Sequence, residues 1–353
     1  MINDEENAIL ENGLEETEEL FEYKSFTADK GQTLMRVDKY LFACMGGASR
    51  NRIQAAAKAG CILVNGKPVK SNYRVKPFDK VQVMLDHEPN DYTITPEEIP
   101  LEIVYEDNDL MVVNKPAGLV VHPGIGNVHG TLLNAIAWHL KDNPNFDANN
   151  PHIGLVHRID KDTSGLLVVA KTEDAKAHLG KQFFDKTTSR TYHALVWGVM
   201  HDGNGTIDGD LGRDPHDRLR FCVFPNGENP LAKHAVTHFS VVERFTYATL
   251  VECRLETGRT HQIRVHMRHI GHPLFSDARY GGSEVLKGNM FGSYRQFIRD
   301  CFDVCPRQAL HAQTLGFTHP TTGERMSFSA PYPDDFRQLV EHWRSYTLAE
   351  IKA

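Results

Sequence analysis

Long apolar runs are missing from this 353-residue chain. Stretches such as Leu166–Ala170 fall far short of the roughly 18 residues that a membrane span needs, so no transmembrane helix is expected. Cysteine is scarce, at six residues with no matching pairs of close spacing, and a disulfide framework is excluded. The first residues lack a basic patch followed by an apolar stretch, so the expectation is a cytoplasmic protein with reduced thiols. Internal repeats and low-complexity tracts are absent. Nucleotide-cradling motifs are absent too: Lys115–Gly124, "KPAGLVVHPG", matches neither a P-loop nor a dinucleotide fingerprint. Ser164 stands in Thr-Ser-Gly without the flanking glycine of a nucleophile elbow, which counts against a serine hydrolase.

What is present is ordinary globular material, 41% hydrophobic and 24% charged, long enough for about two domains. The net charge of −7 is unevenly spread. Residues 1–30 carry ten acids and two lysines, a net −8, and read as an acidic mobile tail. Between Leu34 and His87, ten basic residues face three acidic ones, a local +7. The rest sums to −6, so any grip on a polyanion there must come from arrangement rather than number.

Helical spacing of Val37, Tyr40 and Leu41 predicts a first helix. Ser49 reads as the cap of a second helix, closed by Gly60. The alternating runs "CILVNGKPV" and "DKVQVML" predict strands, with Asn65-Gly66 as a hairpin turn. This gives a small α+β domain over residues 31–88 and a proline-bearing linker over 89–100, with the boundary near residue 95. A mixed α+β domain follows over 101–333. Its expected strands are "LEIVY", "LMVVN", "GLLVVAKT", "RTYHALVWG" and "ATLVECRLE", with a helix over Glu173–Lys186 and a helical insertion over Asn289–Pro306. Asp334–Tyr346 reads as a closing helix within a C-terminal segment, 334–353.

Two segments concentrate polar chemistry. In "HRIDKDTSGLLVVAKT", His157–Thr172, a turn with Arg158, Asp160, Asp162, Thr163 and Ser164 leads into a buried-looking strand. On spacing alone, such a turn serves local backbone hydrogen bonding at least as well as catalysis. In "LETGRTHQIRVHMRHIGHP", Thr260 is positioned to cap a helix ending near Gly271 and Pro273. There Ile263, Met267 and Ile270 share one face, and Arg264 and Arg268 point elsewhere. A solvated basic helix is the plain alternative. His261 and His266 are five apart, wrong for one helical face, and no carboxylate completes a set, so no metal site is expected. His234 and His238 belong to a strand as surface histidines.

The ordered segments "HRIDKDTSG", "RTYHALVWG", "LETGRTHQIRVHM" and "ALHAQTLGFTHPTTGE" closely resemble the RluA family of pseudouridine synthases. The module "MRVDKYL…GASRNRIQ…GCILVNGKPV" resembles the S4 domain, a small RNA-binding fold, and "HPGIGNVHGTLLNAI" is similar to the RluD branch. The resemblance implies an S4-type α+β domain followed by a mixed, mainly antiparallel-sheet catalytic domain. It implies an isomerase that turns uridine into pseudouridine without a cofactor, acting on large-subunit ribosomal RNA or a pre-ribosomal particle, as a monomer. Other ribosomal or transfer-RNA uridines are the alternative targets. A non-catalytic RNA-binding assembly factor and a metal hydrolase built on the 19 histidines are the rival classes.

By the same resemblance, Asp160 is the catalytic carboxylate, as nucleophile or as the base that starts an elimination, and Arg264 pairs with it electrostatically. Tyr192 stacks on uracil and relays the proton leaving carbon 5, Ile263 floors the ring, and Arg158 fills the gap left by a flipped base. Arg36, Arg50, Arg52, Lys58 and Lys67 are the RNA-binding residues implied in the S4-like module. Two departures stand out: Pro77-Phe78-Asp79 replaces a usual Gly-Asp turn, and Ile159 stands where leucine is commoner.

Overall fold

The computed structural model describes residues 21–45, 50–85, 94–123, 127–144, 146–149, 154–217, 220–225, 227–288 and 292–352. The chain divides into two units, Met1–Asp91 and Tyr92–Ala353. Among the described residues, no helix is long and apolar enough to cross a membrane.

The first unit contains β1 (Phe21–Thr27), β2 (Met35–Arg36), α1 (Val37–Cys44), α2 (Arg50–Lys58), β3 (Ile62–Val64), β4 (Lys67–Pro68), β5 (Arg74–Val75) and β6 (Lys80–Leu85). A sheet in the order β1-β6-β3-β4 carries Ile62, Val64, Val81 and Val83 into a core shared with Val37, Leu41 and Ile53 of the helices. β1 corrects the expected tail. Its residues mix aromatic and polar groups, and it pairs antiparallel with β6 from Phe21↔Leu85 to Thr27↔Lys80, with a register shift between Glu22 and Lys24. The acidic count over residues 1–30 hid those strand-forming residues; residues 1–20 lie outside the described set, as does the expected cap Ser49.

Asn65 and Gly66 have φ of +51° and +77°, the pair of positive values that a type I′ hairpin turn requires. At the departure Pro77-Phe78-Asp79, Phe78 itself takes φ +68°, a conformation that costs a non-glycine residue about 1–2 kcal/mol. The Asp79 carboxylate offsets it by accepting from the Asn65 amide, the Tyr73 hydroxyl and the Lys76 N–H. The last strand, β6, forms in register against β3 all the same.

The second unit runs β7 (Glu102–Glu106), β8 (Leu110–Lys115), α3 (Leu132–His139), β9 (Gly154–Leu155), β10 (Ser164–Ala170), α4 (Glu173–Phe184), β11 (Ser189–Trp197), β12 (Asn204–Arg213), β13 (Phe221–Phe224), β14 (Lys233–Arg244), β15 (Ala248–Leu255), α5 (Gln262–His269), α6 (Gly292–Val304), β16 (Leu310–Thr318), β17 (Arg325–Ser329) and α7 (Asp334–Lys352). One large sheet has the order β13-β12-β14-β15-β11-β16-β10-β8-β7, with β17 on β16 and β9 on β10. Pairing is antiparallel except at β10–β16. Both faces of the sheet are covered, so alternate residues of one strand enter different cores. Tyr192, Ala194 and Val196 of β11 join α3 and α5, whereas Leu195 and Trp197 join α6 and α7. The same two-sided cover explains why every residue of β10 is buried.

Three expectations change. Residues 94–100, expected as linker, are fastened to the second unit: the Asn134 side chain donates to Thr95 O, and Glu97 N donates to Asn134 O. The closing helix continues to Lys352 and buries Phe336, Leu339, Val340 and Trp343, so it belongs to that unit's core. Thr260 is exposed and does not cap α5. The cap position is His261, at φ +56° without a side-chain cap bond. Buried Gln262 organises the turn instead, accepting from Arg259 N at 3.0 Å and the Thr257 hydroxyl at 2.8 Å while donating to Val236 O.

Candidate active site

The turn that precedes β10 is held by its backbone. The Lys115 side chain, with no exposed surface, donates to the carbonyls of Pro116, Leu119 and Lys161, so all three ammonium protons are used and one of them fixes the residue after Asp160. Burial, with Arg307 adding positive charge nearby, lowers the Lys115 pKa, and the three carbonyl acceptors favour its ammonium form. Arg307 donates to Asp162 O at 2.8 Å and pairs with Asp335 at the start of α7, holding the other end of the turn. Gly165 then passes so close to β16 that a Cβ there would lie 2.3 Å from Ala312 O, which only glycine allows.

These restraints direct Asp160 at α5. Arg264 Nη1 donates to Asp160 Oδ2 at 2.9 Å. The rest of its fork goes to Asp277, with Nε at 2.7 Å and Nη2 at 2.9 Å, a bidentate pair that leaves Arg264 no freedom to turn away. Asp277 is fully buried and also accepts from the N–H groups of Arg279 and Tyr280. Burial opposes the Arg264 charge, but the carboxylates of Asp277 and then Asp160 outweigh it and keep its pKa above the usual arginine value. His261 Nε2 lies 3.9 Å from Asp160, yet burial brings this histidine to about 4, so it is neutral at physiological pH.

Asp160 and Arg264 share a cleft of about 490 Å3 with Arg158, Tyr192, Ile263 and Leu310. Tyr192 and Ile263 are buried, and Arg158 is exposed. Burial raises the Tyr192 pKa, with Arg190 opposing and Asp160 adding to the shift, so the phenol carries its proton at neutral pH. The sequence-predicted catalytic trio and both cleft residues are therefore brought together. In the first unit, Arg36 and Arg50 both pair with buried Asp38, at 3.0 and 3.1 Å, and so stabilise the fold. Lys58 and Lys67 are exposed, and the Arg52 side chain lies outside the described residues.

The solvated-helix alternative fails for α5, because Gln262–Met267 are all buried. A second polar group, Asp107, Asp109 and His319, draws its ligand-type atoms within 4.8 Å of one another. It is closed by hydrogen bonds: His319 Nδ1 accepts from Thr321 N and Thr322 N, so Nε2 carries the proton and donates to Asp107 at 2.7 Å. The Thr321 hydroxyl takes Asp109. Asp277, Lys115, His261 and Arg190 were missed from sequence. For Asp277 the only signal is a position in "SDARYGG", where a Cβ on Gly282 would meet Leu274 O at 1.7 Å and so forces a tight turn.

Comparison with known proteins converges on one family. Residues 109–269 match the RNA pseudouridylate synthase family, and residues 35–81 match the S4 domain. An uncharacterized RNA pseudouridine synthase of Chlorobaculum parvum is 46% identical over 91% of this chain and 97% of its own length. The ribosomal large subunit pseudouridine synthase D of Neisseria meningitidis is 42% identical over 86% of this chain and 78% of its own. Among solved structures, human RNA pseudouridylate synthase domain containing 1 matches 73% of this chain and 98% of that one, with a TM-score of 0.50 and 26% identity. Human RNA pseudouridylate synthase domain containing 4, at 23% identity and a TM-score of 0.52, shares the fold. With one relative at 46% identity covered over 97% of its length and the cleft centred inside the matched region, this chain belongs to the RNA pseudouridylate synthase family and carries an S4 domain ahead of its synthase domain.

Proposed function

We infer that this protein isomerises uridines of large-subunit ribosomal RNA to pseudouridine, with Asp160 as the reacting carboxylate and no cofactor. The observation that carries the reading is Arg264, pinned by Asp277 and reaching Asp160 at 2.9 Å inside a cleft that also holds Tyr192 and Ile263. Relatives named ribosomal large subunit pseudouridine synthase D, at 41–43% identity, support the choice of RNA. The substrate class supports action in the cytoplasm.

The reaction breaks the bond from ribose C1′ to N1 of uracil, turns the base, and joins C1′ to C5. The proton on C5 is lost and N1 gains one, so no oxidant, reductant or net water is consumed. A carboxylate at the ribose can begin it by attack on C1′ or by proton removal; Asp160 is the one held beside Arg264, whereas Glu256, which also lines the cleft, pairs with His238 and Lys186. Tyr192 is placed to stack on the base and handle the C5 proton, and Ile263 packs against the ring. A paired uridine cannot enter such a cleft, so the nucleotide is extruded at a cost of about a few kcal/mol, less from a loop, while exposed Arg158 stacks in the space it leaves.

The deciding experiment is carbodiimide primer extension on large-subunit RNA from cells with and without this protein. Discrete uridines that lose modification in its absence, and regain it with purified protein, are the expected result; an unchanged map refutes it. The first unit should supply phosphate-binding cations. Replacing exposed Lys58 and Lys67 together by alanine should weaken RNA binding and flatten its salt slope by about 0.7–0.9 for each phosphate left without its lysine. A nitrocellulose-retention series in salt reads that slope, and an unchanged value assigns phosphate binding to other residues.

A further inference from the structure

Three arginines are buried among the described residues, and two of them have carboxylate partners: Arg264 with Asp160 and Asp277, and Arg307 with Asp335. The third, Arg190, is 8% exposed, and its Nε is buried without a hydrogen-bond partner. No ion pair or hydrogen bond to its guanidinium exists among the described residues. An aromatic ring and a glycine backbone flank it. The Phe183 ring lies 5.1 Å from its guanidinium carbon, and Gly258 approaches so closely that a Cβ there would be 3.1 Å from Nη1. An isolated guanidinium held in such a slot loses hydration without a compensating charge, an arrangement that proteins keep where an anion completes it.

Arg190 also lines the cleft, together with Asp160 and Tyr192. It stands two residues before Tyr192 on β11, where strand alternation puts both on one face. Uracil and ribose are neutral, so the anionic group that an RNA strand brings into this cleft is its backbone. We propose that Arg190 is the phosphate-binding group of the cleft, its guanidinium fork taking the phosphodiester next to the extruded uridine. This rests on the RNA-isomerase reading above and names the substrate interaction that reading lacks. A planar two-pronged donor suits two phosphate oxygens, and the Phe183 face and the Gly258 backbone pre-set its orientation. Arg190 thereby sets how deep the nucleotide sits relative to Asp160.

The test uses a synthetic hairpin of large-subunit RNA carrying the target uridine in its loop. The phosphate on either side of that uridine is replaced, one at a time, by a neutral methylphosphonate. Wild-type protein, Arg190→Met and Arg190→Lys are compared for binding, single-turnover conversion and melting temperature. One of the two methylphosphonates should weaken wild-type binding about tenfold or more, the scale of a charge-assisted hydrogen bond. Arg190→Met should weaken binding of unmodified RNA by a similar factor, show no further loss with that methylphosphonate, and melt no lower than wild type, because an unpaired buried charge has gone. Arg190→Lys should recover part of the binding and keeps a charged comparison if the methionine variant does not fold. Losses that multiply, with the methylphosphonate hurting the variants as much as the wild type, overturn the proposal. So does normal binding by Arg190→Met with only a shifted pH profile of conversion, which would assign Arg190 to Tyr192. If the wild-type protein binds the hairpin but converts no uridine, the isomerase reading fails, while the phosphate pairing is still decided by the binding measurements.

Discussion

Asp160→Asn is expected to bind RNA as the wild type does and to form no pseudouridine, a loss of at least about 10^4-fold in single-turnover conversion. The substitution keeps an oxygen that can accept from Arg264 Nη1, now at 2.9 Å, and Arg264 remains fixed by two bonds to Asp277, so the cleft keeps its shape. What disappears is the negative oxygen that must either attack C1′ or remove a proton, and an amide does neither at neutral pH. The measurement is a carbodiimide map of RNA incubated with each protein at equal occupancy, with melting curves to show that the variant is folded. Conversion at the wild-type rate would reassign the carboxylate. Asp162 is the nearest other acid in the sequence, yet it is absent from the cleft lining, and its own carbonyl is occupied by Arg307. The same experiment separates an enzyme from an assembly factor that keeps the fold and binds RNA without reaction.

What could be read from the sequence was what depends on neighbours along the chain. Asn65-Gly66 announces its turn because the positive φ values belong to those two residues alone. The strand after His157 and the helix that became α4 follow from local patterning, and the Asp160 and Arg264 roles came with a family resemblance carried by short motifs. Residues whose meaning depends on distant partners were not legible. Lys115 reads as a surface charge beside a proline, yet it is buried because carbonyls from Pro116, Leu119 and, 46 positions away, Lys161 converge on it. Thr260 has the right residue type for a cap, but a buried glutamine two positions later had stronger partners in Thr257 and Val236. β1 was concealed by charge: the acidity of residues 1–20 dominated the count, whereas the strand rests on the aromatic and β-branched residues Phe21, Tyr23, Phe26 and Thr27.

Asp277 is the strongest case of such a hidden residue, and its loss should be the next most damaging after that of Asp160. It never has to touch RNA; it is a positioning residue that acts through Arg264. Asp277→Asn would replace a carboxylate that accepts Nε and Nη2 with an amide whose NH2 group faces the guanidinium, leaving a buried arginine with Asp160 as its remaining anion. Removing one partner of a buried ion pair costs about 3–5 kcal/mol, which in a unit of this size lowers the melting temperature by on the order of 10 °C. The catalytic cost comes from geometry. Freed from Asp277, the guanidinium can turn wholly toward Asp160 and draw that carboxylate out of line, and a misplacement of about 1 Å is enough for roughly a 10^2-fold loss of kcat. Because Arg158 and Arg190 are untouched, KM for RNA should change little. A kcat normalised to folded protein, measured below the melting range of the variant, distinguishes positioning from a merely structural role, which would lower the amount of active protein without altering turnover per folded molecule. A fall in KM alone, or a kcat within about threefold of the wild type, would show that Asp160 holds its own position and that the bridge from Asp277 serves only the fold.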